Sequence, residues 1–153
     1  MDNQQVLPRG LRNNNPLNIR RSADTFQGEL QYNPDPDFKL FRTADWGYRA
    51  AFCILRTYLL HKGLRTVFEV INRWCPDATA GQYIKAVCQL TGFSATTALN
   101  FSDKEQMVTL VAAMSYVENG RKANIYDVRW GYYMSLNGGS RRQLAGKTQD
   151  PFL

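Results

Sequence analysis

Long apolar runs are absent from this sequence of 153 residues. No stretch reaches the roughly 18 consecutive apolar residues that suggest a membrane-spanning helix. Residues 1–10 contain an acid at Asp2 and lack the apolar segment of a secretory signal peptide. The sequence therefore predicts neither membrane insertion nor a cleaved signal peptide.

Histidine and cysteine are also scarce. His61 is the one histidine, which argues against a Ser-His-Asp triad and against a metal site built on histidines. The three cysteines, Cys53, Cys75 and Cys88, form no CxxC pair and lie in apolar helical contexts. We therefore expect buried free thiols, no metal and no cofactor.

The composition is that of a globular domain with a basic surface. Hydrophobic residues make up 44% of the chain and charged residues 21%, and the net charge is +6. Such a charge suits nucleic acid, anionic lipid or a bacterial wall polymer and does not choose among them. Arg141, Arg142 and Lys147 are consistent with nucleic-acid binding, but no recognition motif accompanies them, so nucleic acid is not the expected partner.

Turn-forming residues and then helical periodicity divide the chain into two parts. The polar opening leads into an irregular β-hairpin or meander, with strands expected near 17–21, 26–32 and 38–42. From Thr43 onward the apolar residues recur with helical spacing and predict about five helices. The sequence thus predicts one α+β, mainly α domain over residues 1–136 and a basic, Gly-rich C-terminal tail over 137–153.

Glu118 is the acid that the pattern singles out. It ends a helix that we expect to begin at Ser102, and it lies on the same apolar face as Val111 and Met114. A carboxylate there is costly unless it is paired or used, and burial and the negative helix end both raise its pKa. A proton kept near neutral pH suits a general acid for glycosidic bond cleavage. The alternative is an ion pair with Arg121, Lys122 or another base.

An Asn-rich motif lies at the start of the predicted β region. Residues Arg12-Asn13-Asn14-Asn15-Pro16-Leu17-Asn18-Ile19-Arg20 are followed by Phe26-Gln27-Gly28. This pattern resembles the RNNNPGNIR…W.G opening of small phage- and prophage-associated proteins described as virion structural or lysozyme-like. Further matching positions include Ile71-Asn72-Arg73-Trp74 and Pro76, and the resemblance covers most of residues 9–120.

The order of these motifs is also similar to that of wall-degrading glucosaminidases in the lysozyme superfamily. There, a helix ending in the catalytic Glu comes before an NN-x-F-G-I-K strand. Here no helical pattern precedes Asn14, whereas the helix ending at Glu118 follows. The resemblance therefore implies a lysozyme-like domain that is circularly permuted. The sequence departs from the family pattern at Leu17, Phe26 and Cys75, where Gly, Trp and Ala are usual.

The resemblance implies a function in cell wall degradation. It points to a glycosidase of the glucosaminidase or muramidase kind, or to a lytic transglycosylase, acting on β-1,4 bonds of peptidoglycan with Glu118 as the general acid. A second carboxylate, if one is used, would be Glu29 or Asp24. The residues expected to bind the glycan strand are Asn15, Asn18, Arg20, Gln27, Tyr83 and Tyr116.

A non-catalytic role is the alternative. A virion or assembly protein can keep a lysozyme-like fold without its chemistry, since a fold does not establish an activity. The expected partners are glycan strands of peptidoglycan, and phage virion or secretion-apparatus proteins. The expected place of action is the cell wall, the periplasm or a virion, after synthesis in the cytoplasm.

Overall fold

The computed structural model describes residues 6–137, and this part of the chain is mainly helical. Most of the expected C-terminal tail lies outside the described residues, as do residues 1–5. The helices of the described part are α1 (Arg9–Arg12), α2 (Ala44–His61), α3 (Val67–Trp74), α4 (Ala80–Thr91), α5 (Lys104–Asn119) and α6 (Ile125–Asn137). The expectation of a mainly α domain is confirmed.

The expected β-hairpin is wrong. In the region between α1 and α2, strand-like pairing is limited to the isolated bridges Arg20–Phe38 and Glu29–Phe41. A few backbone hydrogen bonds, such as that from Lys39 N–H to the Ile19 carbonyl at 3.0 Å, accompany these bridges. Side chains satisfy further backbone groups: the carboxylate of Asp35 accepts the backbone N–H groups of Asp37 and Phe38 at 2.9 and 3.0 Å. Asn and Asp side chains compete with backbone pairing in this way, so the segment folds as a loop.

Helix α1 was not expected from the sequence. It is a single turn in which the backbone N–H groups of Leu11 and Arg12 donate to the Pro8 carbonyl at 2.9 and 3.0 Å. A turn of four residues is too short to show a helical period. Its buried residue is Gly10, which has no apolar side chain to reveal the burial.

The start of α5 differs from the expectation by one residue. Asp103, not Ser102, is the N-cap, and its carboxylate accepts the backbone N–H of Gln106 at 3.1 Å. The end is as expected, since Gly120 follows Asn119 with a φ of 68°. Glycine adopts this left-handed conformation without a Cβ penalty, so it ends the helix directly after Glu118 and Asn119.

The core forms where α2 and α6 pack closely together. A Cβ on Gly131 of α6 would lie 2.6 Å from the Cβ of Tyr48 on α2, so only glycine permits this approach. Next to this contact, Phe52 and Tyr132 meet edge to ring at 5.3 Å between centroids. The hydroxyls of Tyr48 and Ser115 form a buried hydrogen bond of 2.9 Å, which joins α2 to α5.

Helix α5 has a central position. It contacts α1, α2, α4 and α6. At its C-terminal end, the Asn119 amide donates to the Pro16 carbonyl at 2.7 Å, in a buried contact. The Asn-rich loop therefore lies beside the C-terminal end of α5.

The cysteines agree with the expectation only in part. Cys53, Cys75 and Cys88 are all free thiols. Each is half-buried rather than buried, and Cys75 and Cys88 pack against the margin of the core.

Candidate active site

Glu118 lies in the last turn of α5, at the wall of a groove. Its two carboxylate oxygens have different partners from distant parts of the chain. The amide Nδ2 of Asn18 donates to Oε1 at 2.9 Å, and the hydroxyl of Tyr83 donates to Oε2 at 2.9 Å. Both donors are neutral, so the carboxylate is oriented without a counter-charge in direct contact.

An ion pair is not what holds Glu118. It takes part in none of the ion pairs formed within residues 6–137. Arg121 and Lys122, which the sequence offered as partners, are exposed. The alternative interpretation of Glu118 as a buried salt-bridge residue is therefore wrong for the described part of the molecule.

The pKa of Glu118 is raised above the ordinary value of a glutamic acid. The largest cause is burial, which penalises the charged form. Hydrogen bonds from the side chains of Asn18, Tyr83 and Trp74, and the charge of Arg20, act in the opposite direction and only partly offset it. The group is thus biased toward the protonated form that a general acid needs.

Tyr83 is tied to the same carboxyl group. Its side chain is buried, and its pKa is raised well above the ordinary tyrosine value by burial and then by the nearby charge of Glu118. The phenol therefore keeps its proton at neutral pH and remains a hydrogen-bond donor to Glu118.

Backbone geometry brings Asn18 to the site. Asn18 has a φ of 51°, a left-handed conformation that asparagine tolerates better than most residues. The turn is held from inside by Asn15, whose amide donates to the carbonyls of Ile19 and Lys39 at 3.0 and 2.9 Å. Asn15 is fully buried and therefore builds the loop rather than lining the groove.

Gly10 of α1 packs directly behind this turn. A Cβ at Gly10 would lie 2.7 Å from Oδ1 of Asn119 and 2.8 Å from Oδ1 of Asn18. Both oxygens are buried and accept no hydrogen bond within the described part of the chain. The close approach of α1 thus requires glycine and fixes the side chain that contacts Glu118.

The groove has a volume of about 680 Å³. Besides Glu118, its wall carries the aromatic side chains of Phe38, Tyr58, Trp74 and Tyr83 and the charged side chains of Arg20, Arg73 and Asp77. The guanidinium of Arg20 lies 5.0 Å from the ring centre of Phe38, and that of Arg73 lies 5.6 Å from the ring centre of Tyr58. Aromatic faces with neighbouring cations suit a ligand that has both apolar faces and negative charge.

A sequence comparison with known proteins identifies the family of this chain. The chain is 38% identical over 135 residues to protein P5 of Pseudoalteromonas phage PM2, and the match covers 82% of each chain. The chain belongs to the protein P5 family. No family model matches the sequence.

Membership of the P5 family confirms the phage part of the resemblance, since the relative is a phage protein. The lysozyme-like part stays a prediction. Within residues 6–137, no helix combines the length and apolar character needed to cross a membrane. In the same range, no group of three or more His, Cys, Asp and Glu side chains is arranged to hold a metal ion.

The expected binding residues of this P5-family protein fall into two groups. Asn18, Arg20 and Tyr83 line the groove together with Glu118. Asn15, Gln27 and Tyr116 do not line it: Asn15 is inside the loop, and Gln27 and Tyr116 are exposed elsewhere.

The expected second carboxylates do not line the groove either. Glu29 forms an ion pair of 3.1 Å with Lys39, whose side chain is only 1% exposed. Asp24 is exposed, and its backbone carbonyl accepts the same lysine at 2.7 Å. The acid that does line the groove with Glu118 is Asp77, which sequence reasoning missed. Its position between Pro76 and the next helix has the appearance of an ordinary turn.

Proposed function

We propose that this P5-family protein cleaves β-1,4 glycosidic bonds in peptidoglycan, with Glu118 as the general acid. The observation that carries the proposal is the state of Glu118: a half-buried carboxyl group at a groove, held by neutral donors that include Asn18 and Tyr83, with its pKa raised by burial. Glycosidic oxygens leave readily only when they are protonated, and a carboxylic acid with a raised pKa supplies that proton.

The contacts of Glu118 support this role in a second way. Asn18 and Tyr83 come from different elements and bind different oxygens of one carboxyl group. Such fixed donors hold a catalytic group in one orientation and lower the entropic cost of reaching the transition state.

The groove supports a glycan strand with anionic substituents as the substrate. Trp74 and Tyr58 line the groove with aromatic rings, which are the side chains that sugars contact most readily, and Arg20 and Arg73 add positive charge beside them. Peptidoglycan combines sugar rings with carboxylates, and the net charge of +6 favours approach to an anionic wall.

A permuted lysozyme-like fold is part of the proposal. The Asn-rich loop, which in the glucosaminidases that the sequence resembles follows the catalytic helix, here precedes the end of α5 in sequence by about 100 residues. It nevertheless meets the end of α5 through the Asn18–Glu118 and Asn119–Pro16 hydrogen bonds. A circular permutation changes the order of the segments along the chain but keeps their contacts in the folded protein, so it accounts for a contact between segments that are far apart in sequence.

The second candidate is a non-catalytic virion component, which the relationship to a phage protein supports. In either role we infer that the protein acts with phage particles or at the wall of the host cell. The two candidates differ in whether the isolated protein degrades the wall.

The test is the clearing of purified peptidoglycan by three proteins: the wild type, Glu118→Gln and Glu105→Gln. Glu105 is the matched control, because it lies on the same helix and its side chain is 63% exposed. We expect clearing by the wild type and Glu105→Gln, and a loss of about 10²–10⁴-fold in Glu118→Gln. Absence of clearing by the folded wild type on walls of several chemotypes would support the virion component and contradict the enzyme.

A further inference from the structure

A second acid shares the groove with Glu118. Asp77 lies in the loop between α3, which ends at Trp74, and α4, which begins at Ala80. Among the residues that line the groove, Asp77 and Glu118 are the acidic ones. The groove therefore offers two carboxyl groups, the number that enzymatic hydrolysis of a glycosidic bond ordinarily uses.

The two oxygens of Asp77 are in different situations. Oδ1 accepts the backbone N–H of Thr79 at 2.8 Å, the Thr79 hydroxyl at 2.6 Å and the Cys75 thiol at 3.5 Å. Oδ1 is the acceptor in each of these three hydrogen bonds, and Oδ2 accepts none of them within residues 6–137. One oxygen thus anchors the side chain, while the other is available to a water molecule in the groove.

Asp77 and Glu118 are biased toward opposite protonation states. Hydrogen bonds from Thr79, then from Cys75, lower the pKa of Asp77, and the charge of Arg20 adds to this effect. Burial raises the pKa of Glu118. When the pKa values of two carboxyl groups are pushed apart in this way, the group with the lower pKa suits the role of proton acceptor and the group with the higher pKa suits that of proton donor.

We propose that Asp77 activates the attacking water, so that the protein is a hydrolase rather than a lytic transglycosylase. This inference rests on the proposed function of Glu118. Asp77 is exposed and is anchored through Oδ1, so its Oδ2 can accept a hydrogen bond from a water molecule in the groove. A transglycosylase, in which the sugar's own 6-hydroxyl attacks, needs no water-activating group at this place.

The step conserves atoms and charge. Water attacks the anomeric carbon and gives one proton to Oδ2 of Asp77, forming the new carbon–oxygen bond. The glycosidic carbon–oxygen bond breaks, and its oxygen takes the proton of Glu118. Asp77 then returns its proton to solvent and Glu118 takes one up, so one water is consumed for each bond cleaved.

The first test is the product of the wild type on purified peptidoglycan in water enriched in heavy oxygen. Hydrolysis puts a labelled oxygen at the new reducing end, and the fragments gain the mass of one water. Unlabelled anhydro ends would overturn the role of Asp77 and leave that of Glu118 intact. A wild type without any cleavage would overturn both.

The second test compares Asp77→Asn with Asp37→Asn. The carbonyl oxygen of an asparagine side chain can still accept from Thr79, so the start of α4 should keep its local hydrogen bonds after Asp77→Asn. Asp37 is the control, because it is an exposed loop aspartate. Its ion-pair partner Arg9 also pairs with Asp35, so Arg9 keeps a partner after Asp37→Asn. We expect cleavage to fall by about 10²–10⁴-fold in Asp77→Asn and to stay unchanged in Asp37→Asn. Full activity of folded Asp77→Asn would overturn the proposal.

Chemical rescue by azide distinguishes a role of Asp77 as a base from a purely structural role. Azide attacks the anomeric carbon without having to lose a proton, so it should restore cleavage to Asp77→Ala and form a glycosyl azide. Azide should restore nothing to Glu118→Gln, which lacks the proton for the leaving oxygen. An Asp77→Ala protein that is folded, inactive and insensitive to azide would count against a water-activating role.

Discussion

Asn18 and Glu118 are joined by a hydrogen bond that spans 100 residues of the chain, with 2.9 Å between Nδ2 and Oε1. The bond connects the Asn-rich loop to the last turn of α5. It brings the loop and the acid, which the sequence separates widely, into one site.

Loss of the Asn18 amide should impair wall cleavage without unfolding the protein. Asn18→Gly removes the donor, and glycine accepts the φ of 51°. Because Glu118 would lose one of the hydrogen-bond donors that orient it, we expect cleavage to fall by up to about 10²-fold. Asn14→Gly is the matched control, since Asn14 has the same φ and its amide contacts the carbonyls of Phe41 and Arg42 instead. Equal losses in the two variants would contradict a specific role for Asn18.

Removal of the Tyr83 hydroxyl should raise the pKa of Glu118 further. The hydrogen bond from the Tyr83 hydroxyl lowers the pKa of Glu118, whereas burial raises it. Tyr83→Phe removes the first effect and keeps the second, so the pKa should rise. The titration of the Glu118 side-chain carboxyl carbon, followed by NMR, measures the change directly and needs no activity. Tyr32→Phe is the control, because Tyr32 is 82% exposed. An unchanged or lowered pKa in Tyr83→Phe would show that the phenol does not interact with the charged form.

Stability should depend on pH through Glu118 in a defined direction. Burial raises its pKa in the folded protein, so its contribution is fully present below the pKa of the unfolded chain and is lost as the pH rises through the folded pKa. Glu118→Gln stays neutral throughout. The free energy of unfolding of the wild type, measured in urea at several pH values, should therefore decline relative to that of the variant as the pH rises. A gap that widens in favour of the wild type with rising pH would contradict the raised pKa.

A methyl group at Gly10 should destabilise the loop that carries Asn18. The added Cβ would collide with the side-chain oxygens of Asn18 and Asn119, and the second side chain is held by the Pro16 and Ser115 carbonyls. We expect Gly10→Ala to cost about 1–3 kcal/mol of stability. Gly81→Ala in α4 has open space around its Cβ and should be neutral or gain up to about 1 kcal/mol. Thermal unfolding compares the two, and equal melting temperatures would contradict the tight packing at Gly10.

Helices α2 to α6 could be predicted from the sequence because their apolar residues recur with the helical period, whereas the single turn of α1 is too short to show one. The loop between α1 and α2 could not, because Asn15, Asn33 and Asp35 use side-chain hydrogen bonds where a strand would use its backbone. Such bonds leave alternation of apolar and polar residues unchanged, so the pattern predicts strands that do not form.

Only part of the candidate site could be predicted from the sequence, namely Glu118 and the Asn-rich motif. Glu118 stands out because a carboxylate on an apolar helix face is costly, and the Asn-rich motif stands out by resemblance. Asp77 gave no signal, since an acid next to proline between two helices is typical of a turn. Which distant residues meet at the groove depends on how α3, α4 and α5 pack, and no local pattern contains that information.

The most direct measurement of the role of Glu118 is the ratio of cleavage rates between the wild type and Glu118→Gln, from the release of soluble fragments from purified peptidoglycan at one pH. The two proteins must show equal cooperative unfolding, so that the ratio reports chemistry alone. If Glu118 is the general acid, the wild type is faster by about 10²–10⁴-fold. A Glu118→Gln protein that releases fragments as fast as the wild type would contradict this.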